Sequence, residues 1–206
     1  MIVIKTQNVS GIIEGIISMR NPLNSWNKSD SRGQVIGPDD LKLAKKLCAA
    51  GPSHSKFRRM INVYVDIKAP LYWWKEFDTY KVGTVANSCS TMHKISAKEF
   101  EWSDFSTEHL FGRGSKAWLA MQDVIDALNE YRADYIRSGG HSKECWWQMI
   151  QLLPSSYNQF RSVMINYETL SNIYKTRKGH KLDEWNQFCD WIEALPYTNE
   201  IIIGKE

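Results

Sequence analysis

Little in this 206-residue sequence points to a specialised class of protein. Cysteine is scarce: Cys48, Cys89, Cys145 and Cys189 are widely spaced and form neither a CxxC pair nor a Cys/His cluster of zinc type, which leaves four free thiols and no metal site. Long apolar runs are lacking too. Stretches such as Gly11 to Ile13 or Ile201 to Ile203 fall far short of the roughly 20 residues that cross a bilayer, so no membrane partner is expected. Met1 to Thr6 carries one lysine and no small-residue cleavage pattern, so it does not read as a secretory signal, and cytoplasmic residence is the default. Net charge is small, +3 from 26 basic against 23 acidic residues, which argues against duplex nucleic acid and favours a small anionic ligand. No glycine-rich turn of GxGxxG or GxxxxGK type follows a strand, which excludes a Rossmann dinucleotide site and a P-loop.

What is present describes a folded chain. Hydrophobic residues make up 43% and aromatics 12%, nine of them Trp, enough apolar surface to offset lost conformational entropy. The length suits one domain over residues 1–206. Met1 to Val9 alternates as a strand does, and Ile12 to Met19 suits a short helix. Asn21 to Gly37 is rich in Asn, Ser, Pro and Gly and reads as a long loop. A helix starts at Pro38-Asp39-Asp40 and stops at Gly51; a strand follows over Ile61 to Ile67 and ends at Ala69-Pro70. Leu71 to Val82 and Ala117 to Tyr135 have helical spacing, and Ser142 caps a helix that Pro154 stops. Ser162 to Ile165 reads as strand-like, Thr169 to Tyr174 and Asp183 to Leu195 as helices, and Thr198 to Glu206 as a tail or a last short strand. Strands and helices do not alternate regularly, so the fold class is α+β.

Four stretches carry a resemblance when taken in order. Ser18-Met19-Arg20 precedes the Asn/Ser loop. Ser53-His54-Ser55-Lys56-Phe57-Arg58-Arg59 stands ahead of a strand. Ile67-Lys68-Ala69-Pro70-Leu71-Tyr72-Trp73-Trp74-Lys75-Glu76-Phe77 runs from strand into helix. Leu153-Pro154, Tyr157, Arg161, Asn166, Leu170, Asn172, Arg177 and Trp185 form the last series. Over about residues 10 to 195 the chain resembles the flavin-dependent thymidylate synthases, and an ordered set of motifs is far more specific than any one of them. It departs from that pattern in two places. Thr79-Tyr80-Lys81 replaces the Arg-His-Arg signature, and Arg58 stands where the family has an acid.

The resemblance implies a central, mostly antiparallel sheet with packed helices. It also implies FAD, NADPH, methylenetetrahydrofolate and dUMP as ligands, and active sites shared within a homotetramer. The cofactor carries the hard chemistry, so no catalytic side chain is assigned. On motif position, Arg161, Arg177, Lys81, Asn87, Ser88, Ser90 and Glu76 are substrate-binding candidates. Ser55, Arg58, Thr79, Tyr80 and Asn166 are the cofactor-binding candidates. A guanidinium suits phosphate or a uracil edge because its planar fork pairs bidentately. Competing accounts are structural: an ion pair with Glu168 or Asp183 for the arginines, a capped turn for Asn87 to Ser90, and a helix cap for Asn166. At the level of function, the alternative is the same fold without synthase activity, a nucleotide-binding or regulatory protein of phage origin. A third reading makes Cys89 a nucleophile on a pyrimidine.

Overall fold

The computed structural model describes residues 1–204, in two compact units. One, here the sheet unit, takes in Ile2–Ile67, Phe77–Asn87 and the chain from Arg161 onward. The other, the helical unit, takes in Met1, Lys68–Glu76 and Ser88–Phe160. Four strands, β1 (Val3–Ser10), β2 (Asn62–Pro70), β3 (Thr84–Ser88) and β4 (Asn158–Asn166), form an antiparallel sheet in the order β1-β2-β4-β3.

In the sheet unit the strand alternation of β2 is realised as expected: Val63, Val65 and Ile67 are buried and Tyr64 is exposed. Helices α1 (Ile12–Ser18), α2 (Pro38–Ala49), α7 (Tyr167–Arg177) and α8 (Asp183–Glu193) supply the rest of its core with Ile16, Tyr167, Trp185 and Phe188. Gly11 makes the tight entry into α1: its φ is 77°, and a Cβ there would stand 2.3 Å from the Met60 carbonyl oxygen. The loop after α1 contains two short 3-10 turns, Asn21–Leu23 and Trp26–Lys28, and is then clamped by two carboxylates. Asp30 accepts from the Asp39 and Asp40 amides at 2.8 and 3.0 Å, capping α2 from outside the helix. Asp40 is fully buried and accepts from Arg20 Nε, Ser29 Oγ and Ser31 Oγ, each at 2.6 Å.

In the helical unit α3 (Leu71–Phe77, all but its last residue), α4 (Thr91–Lys94), α5 (Lys116–Arg137) and α6 (Lys143–Leu152) surround a core of Ile95, Phe100, Phe105, Met121, Ile125, Leu128 and Met149. Ser115 caps α5 and Ser142 caps α6, each accepting from the amide three residues on. Trp73 and Trp74 are buried core residues, whereas Trp147 is partly exposed. No helix among the described residues is long and apolar enough to cross a membrane.

Three local expectations change. The helix from Leu71 ends at Phe77 rather than Val82, because the Tyr80 amide turns back to the Phe77 carbonyl. β3 carries no apolar stripe, four of its five residues being exposed, and so it was invisible to a periodicity reading. Thr198–Ile203 is a π-helical turn, not a strand or a loose tail. The Ile201 and Ile202 carbonyls are taken by Arg58, Cys48 and Ser171 side chains instead of a neighbouring strand. The last two residues of that stretch, 205 and 206, lie outside the described residues.

Candidate functional site

The start of α7, the segment after α3 and the turn Lys56–Met60 meet around a cavity of about 380 Å³ in the sheet unit. Its walls include Arg59, Thr79, Tyr80, Lys81, Asn166 and Glu168. Asn166 is placed by its own chemistry. Its Oδ1 accepts from the Thr169 amide at 2.9 Å, so it caps α7, and the Thr169 hydroxyl donates to the Val82 carbonyl at 2.7 Å. Gly83 lets this corner close, with a φ of 74° and space for no side chain beside Asn166.

Two arginines lie at or beside the cavity, Arg59 on its wall and Arg177 behind Tyr80. Arg59 donates through Nε and through a terminal nitrogen to the two oxygens of Glu168, the second at 3.0 Å. That hydrogen bonding, with the Glu168 charge behind it, raises the Arg59 pKa above its ordinary value. Arg177 donates through Nε to the Tyr80 hydroxyl at 2.9 Å, and its guanidinium lies 4.6 Å from the Trp185 ring centroid and 5.6 Å from that of Tyr80. Cation–π contact with both rings holds the guanidinium in place, and its Nη1 lies 3.2 Å from His180 Nε2. Lys81 is exposed on the wall and has no carboxylate partner among the described residues.

The structure thus gathers part of the expected set. Thr79, Tyr80, Lys81 and Asn166 line the cavity, and Arg177 reaches it through Tyr80. Arg161, on β4, pairs with Asp78 at 2.6 Å, an ion pair with a different acid from the two anticipated. Asn87 is exposed on β3. Glu76, Ser88 and Ser90 belong to the helical unit, where the Ser90 hydroxyl caps α4. Ser55 and Arg58 are buried and turned into the scaffold. Ser55 donates to the Gly51 carbonyl at 3.1 Å, and Arg58 donates to Ser171 Oγ at 3.0 Å and the Ile201 carbonyl at 3.3 Å. Neighbouring residues in a 3-10 turn point apart, so with Arg58 buried it is Arg59, 56% exposed in its side chain, that faces the site. The Arg59–Glu168 pair is the feature a motif reading passes over, since its partners are 109 residues apart.

Thr79, Tyr80 and Asn166 could meet part of a flavin, but Ser55 donates to the Gly51 carbonyl, and Arg58, buried in the scaffold, donates through a terminal nitrogen to Ser171 and the Ile201 carbonyl. The cavity is also near the lower end of the roughly 300–1,000 Å³ typical of small-molecule sites, a volume for a mononucleotide rather than a whole dinucleotide. The residues of this cavity therefore do not form a cradle for the whole of FAD. No cluster of three or more metal-ligating side chains occurs among the described residues.

No family model and no curated protein matches the chain in sequence. Solved structures do match in shape. Thymidylate synthase X (ThyX) from Helicobacter pylori, with FAD and dUMP, superposes with a TM-score of 0.71 at 16% identity, covering 98% of each chain. A second structure of that flavin-dependent enzyme, complexed with FAD and dUMP, gives 0.70 at 17% identity over 97% of each. The UMP/dUMP methylase PolB from Streptomyces cacaoi, bound with 5-Br dUMP, gives 0.67 at 12% identity, covering 98% of this chain and 94% of its own. Over nearly its whole length, the chain has the fold of the flavin-dependent thymidylate synthases.

Proposed function

We propose that this protein binds a uracil mononucleotide, dUMP or UMP, in the sheet-unit cavity and belongs by activity with the uridylate methylases whose fold it shares. The observation that carries this reading is the convergence of Arg59, Lys81, Tyr80 and Thr79 on one mononucleotide-sized cavity, with Arg177 behind Tyr80. Lys81 offers a point charge for phosphate, and Arg177, bonded to the Tyr80 hydroxyl, holds that side chain on the cavity wall. Thr79 and Asn166 add hydrogen-bonding partners for the sugar or ring.

The fuller form of the proposal is FAD-dependent methylation of dUMP from methylenetetrahydrofolate with NADPH, in a homotetramer whose subunits complete one another's sites. A bound flavin would supply the hydride chemistry. The residues of this chain would bind and orient the uracil ring and hold its phosphate. A second reading, nucleotide binding without synthase activity, is favoured by the inward Ser55 and Arg58 and by Thr79-Tyr80-Lys81 in place of three strong contact residues.

The visible spectrum of the purified protein and calorimetric titration with dUMP, with and without added FAD, test these readings. Saturable dUMP binding that weakens in Lys81→Ala supports the site. A yellow protein that turns over dUMP supports the methylase form, and dUMP binding with neither flavin nor turnover supports the second reading. No dUMP or UMP binding at millimolar concentration refutes both.

A further inference from the structure

The sheet unit holds a second cavity, about 570 Å³, whose lining residues all fall between Ser18 and Met60. Each element around it contributes through its own spacing. Leu43 and Leu47 stand four apart on α2 and so share one face, and Phe57 and Met60 stand three apart in the 3-10 turn Lys56–Met60 and do the same. Met19 at the end of α1 and Leu23 in the turn after it complete the apolar walls. Met19 and Phe57 are buried, whereas Leu23 is 84% exposed and Met60 47%. Exposed apolar surface gathered around a hollow of this size marks a binding site.

The ionisable groups on these walls are few and basic. Lys56 and His54 line the cavity, and among the described residues no aspartate or glutamate does. Neither side chain has a hydrogen-bond or carboxylate partner among the described residues, and Ser53, exposed like both of them, adds a hydroxyl. The composition selects a ligand by exclusion. One lysine is too little charge for a polyphosphate. Phe57, the one benzene ring on the wall, is 3% exposed and presents no face on which an aromatic ligand could stack. One imidazole without a carboxylate or thiolate is no donor set for a metal ion. What remains complementary is a flexible aliphatic body with a single anionic end. Met19 and Met60 suit such a body, because unbranched thioether side chains adapt to its shape.

We infer that this cavity binds a free medium- or long-chain fatty acid, its alkyl chain against Leu23, Leu43, Leu47 and Met60 and its carboxylate at Lys56 and His54. Each methylene taken out of water tightens binding by about fourfold, and the Lys56 ammonium supplies a charge-assisted hydrogen bond to the head. This cavity shares no residue with the one lined by Arg59 and Lys81, so the inference stands apart from the nucleotide reading.

Calorimetric titration of the whole 206-residue chain with octanoate, decanoate and dodecanoate, each below its micelle concentration, tests it. Affinity should rise by about tenfold or more for each two carbons added. Decanol, with the same chain and no charge, should bind about tenfold more weakly than decanoate. The variants sit at exposed positions, where the fold tolerates change. Lys56→Glu should weaken dodecanoate binding by about tenfold or more, and Leu23→Ser/Met60→Ser by about tenfold. Lys56→Arg, which keeps the charge, and Arg59→Ala/Lys81→Ala in the other cavity should leave it unchanged. The inference is overturned if dodecanoate does not bind below millimolar concentration, if decanol binds as tightly as decanoate, or if Lys56→Glu and Leu23→Ser/Met60→Ser bind as the wild type does. Co-sedimentation with phosphatidylglycerol vesicles separates a membrane from the free acid: vesicle binding that Lys56→Glu abolishes, with no binding of the monomeric acid, also overturns it. None of these results touches the nucleotide reading, which rests on the other cavity.

Discussion

Asp40→Asn is the substitution whose cost the structure defines best. The Asp40 carboxylate is fully buried, and it faces Arg20, itself only 7% exposed, through Nε at 2.6 Å and a terminal nitrogen at 2.5 Å. It also accepts from both the Ser29 and Ser31 hydroxyls and from the Ser31 amide at 3.2 Å. Asparagine has nearly the same shape, so little packing is lost. What changes is that Arg20 keeps its charge without a counter-ion, and one acceptor oxygen becomes a donor aimed at donors. Breaking a buried ion pair by removing one partner costs about 3–5 kcal/mol, and the proximity of this one to a surface loop puts it at about 3 kcal/mol. For a chain of this size that is roughly 6–12 °C in Tm, read by calorimetry or circular dichroism.

The pH dependence provides the stricter check. Burial raises the Asp40 pKa, but the hydrogen bonds from Ser29, Ser31 and Arg20 outweigh it, and the folded value lies below the ordinary one. A depressed carboxylate pKa contributes stability that is complete above the unfolded value of about 3.9 and is lost as pH falls through the folded value. The gap in Tm between wild type and Asp40→Asn should therefore be constant from pH 5 to 8 and narrow below about pH 4. A gap under about 1 kcal/mol at neutral pH, or one that does not narrow in acid, would refute the reasoning.

Three further outcomes follow from single residues. Gly83→Ala should destabilise by about 2–3 kcal/mol in denaturant melts, because alanine is strained at a φ of 74° and its Cβ would stand 2.1 Å from Asn166 Nδ2, displacing the α7 cap. Asn166→Ala alone should cost about 1 kcal/mol by the same assay, the usual cost of an N-cap. A disulfide-exchange reagent at pH 8 should modify the exposed Cys89 first, and Cys189 only on unfolding, since burial pushes that thiol to about 11; a fast Cys189 signal in native protein would contradict its placement in the core.

Elements with a buried stripe were legible in the sequence. The alternation of Val63, Val65 and Ile67 and the helical spacing of Met121, Ile125 and Leu128 encode which face each segment hides, and the cap at Ser142 marks where a helix begins. β3 left no such record because it hides almost nothing, and Thr198–Ile203 gave a false one. Its isoleucine run is equally apolar as strand or turn, and side-chain donors on distant residues decide between them.

The ordered motifs also fixed the scaffold, because the Ala69-Pro70 corner and the Leu153 to Trp185 series are local features. Which of the named side chains reach a ligand was a tertiary decision. Arg161 goes to Asp78 across 83 positions and Arg58 to Ser171 across 113, while Arg59, the last residue of the same motif stretch, meets Glu168 at the cavity. A sequence records the burial of each element in its own periodicity, but the partner of a charged group is set by which distant elements pack beside it. Residue type and motif position supplied a list of cations, and only the packing separated those spent on the scaffold from those left facing a cavity.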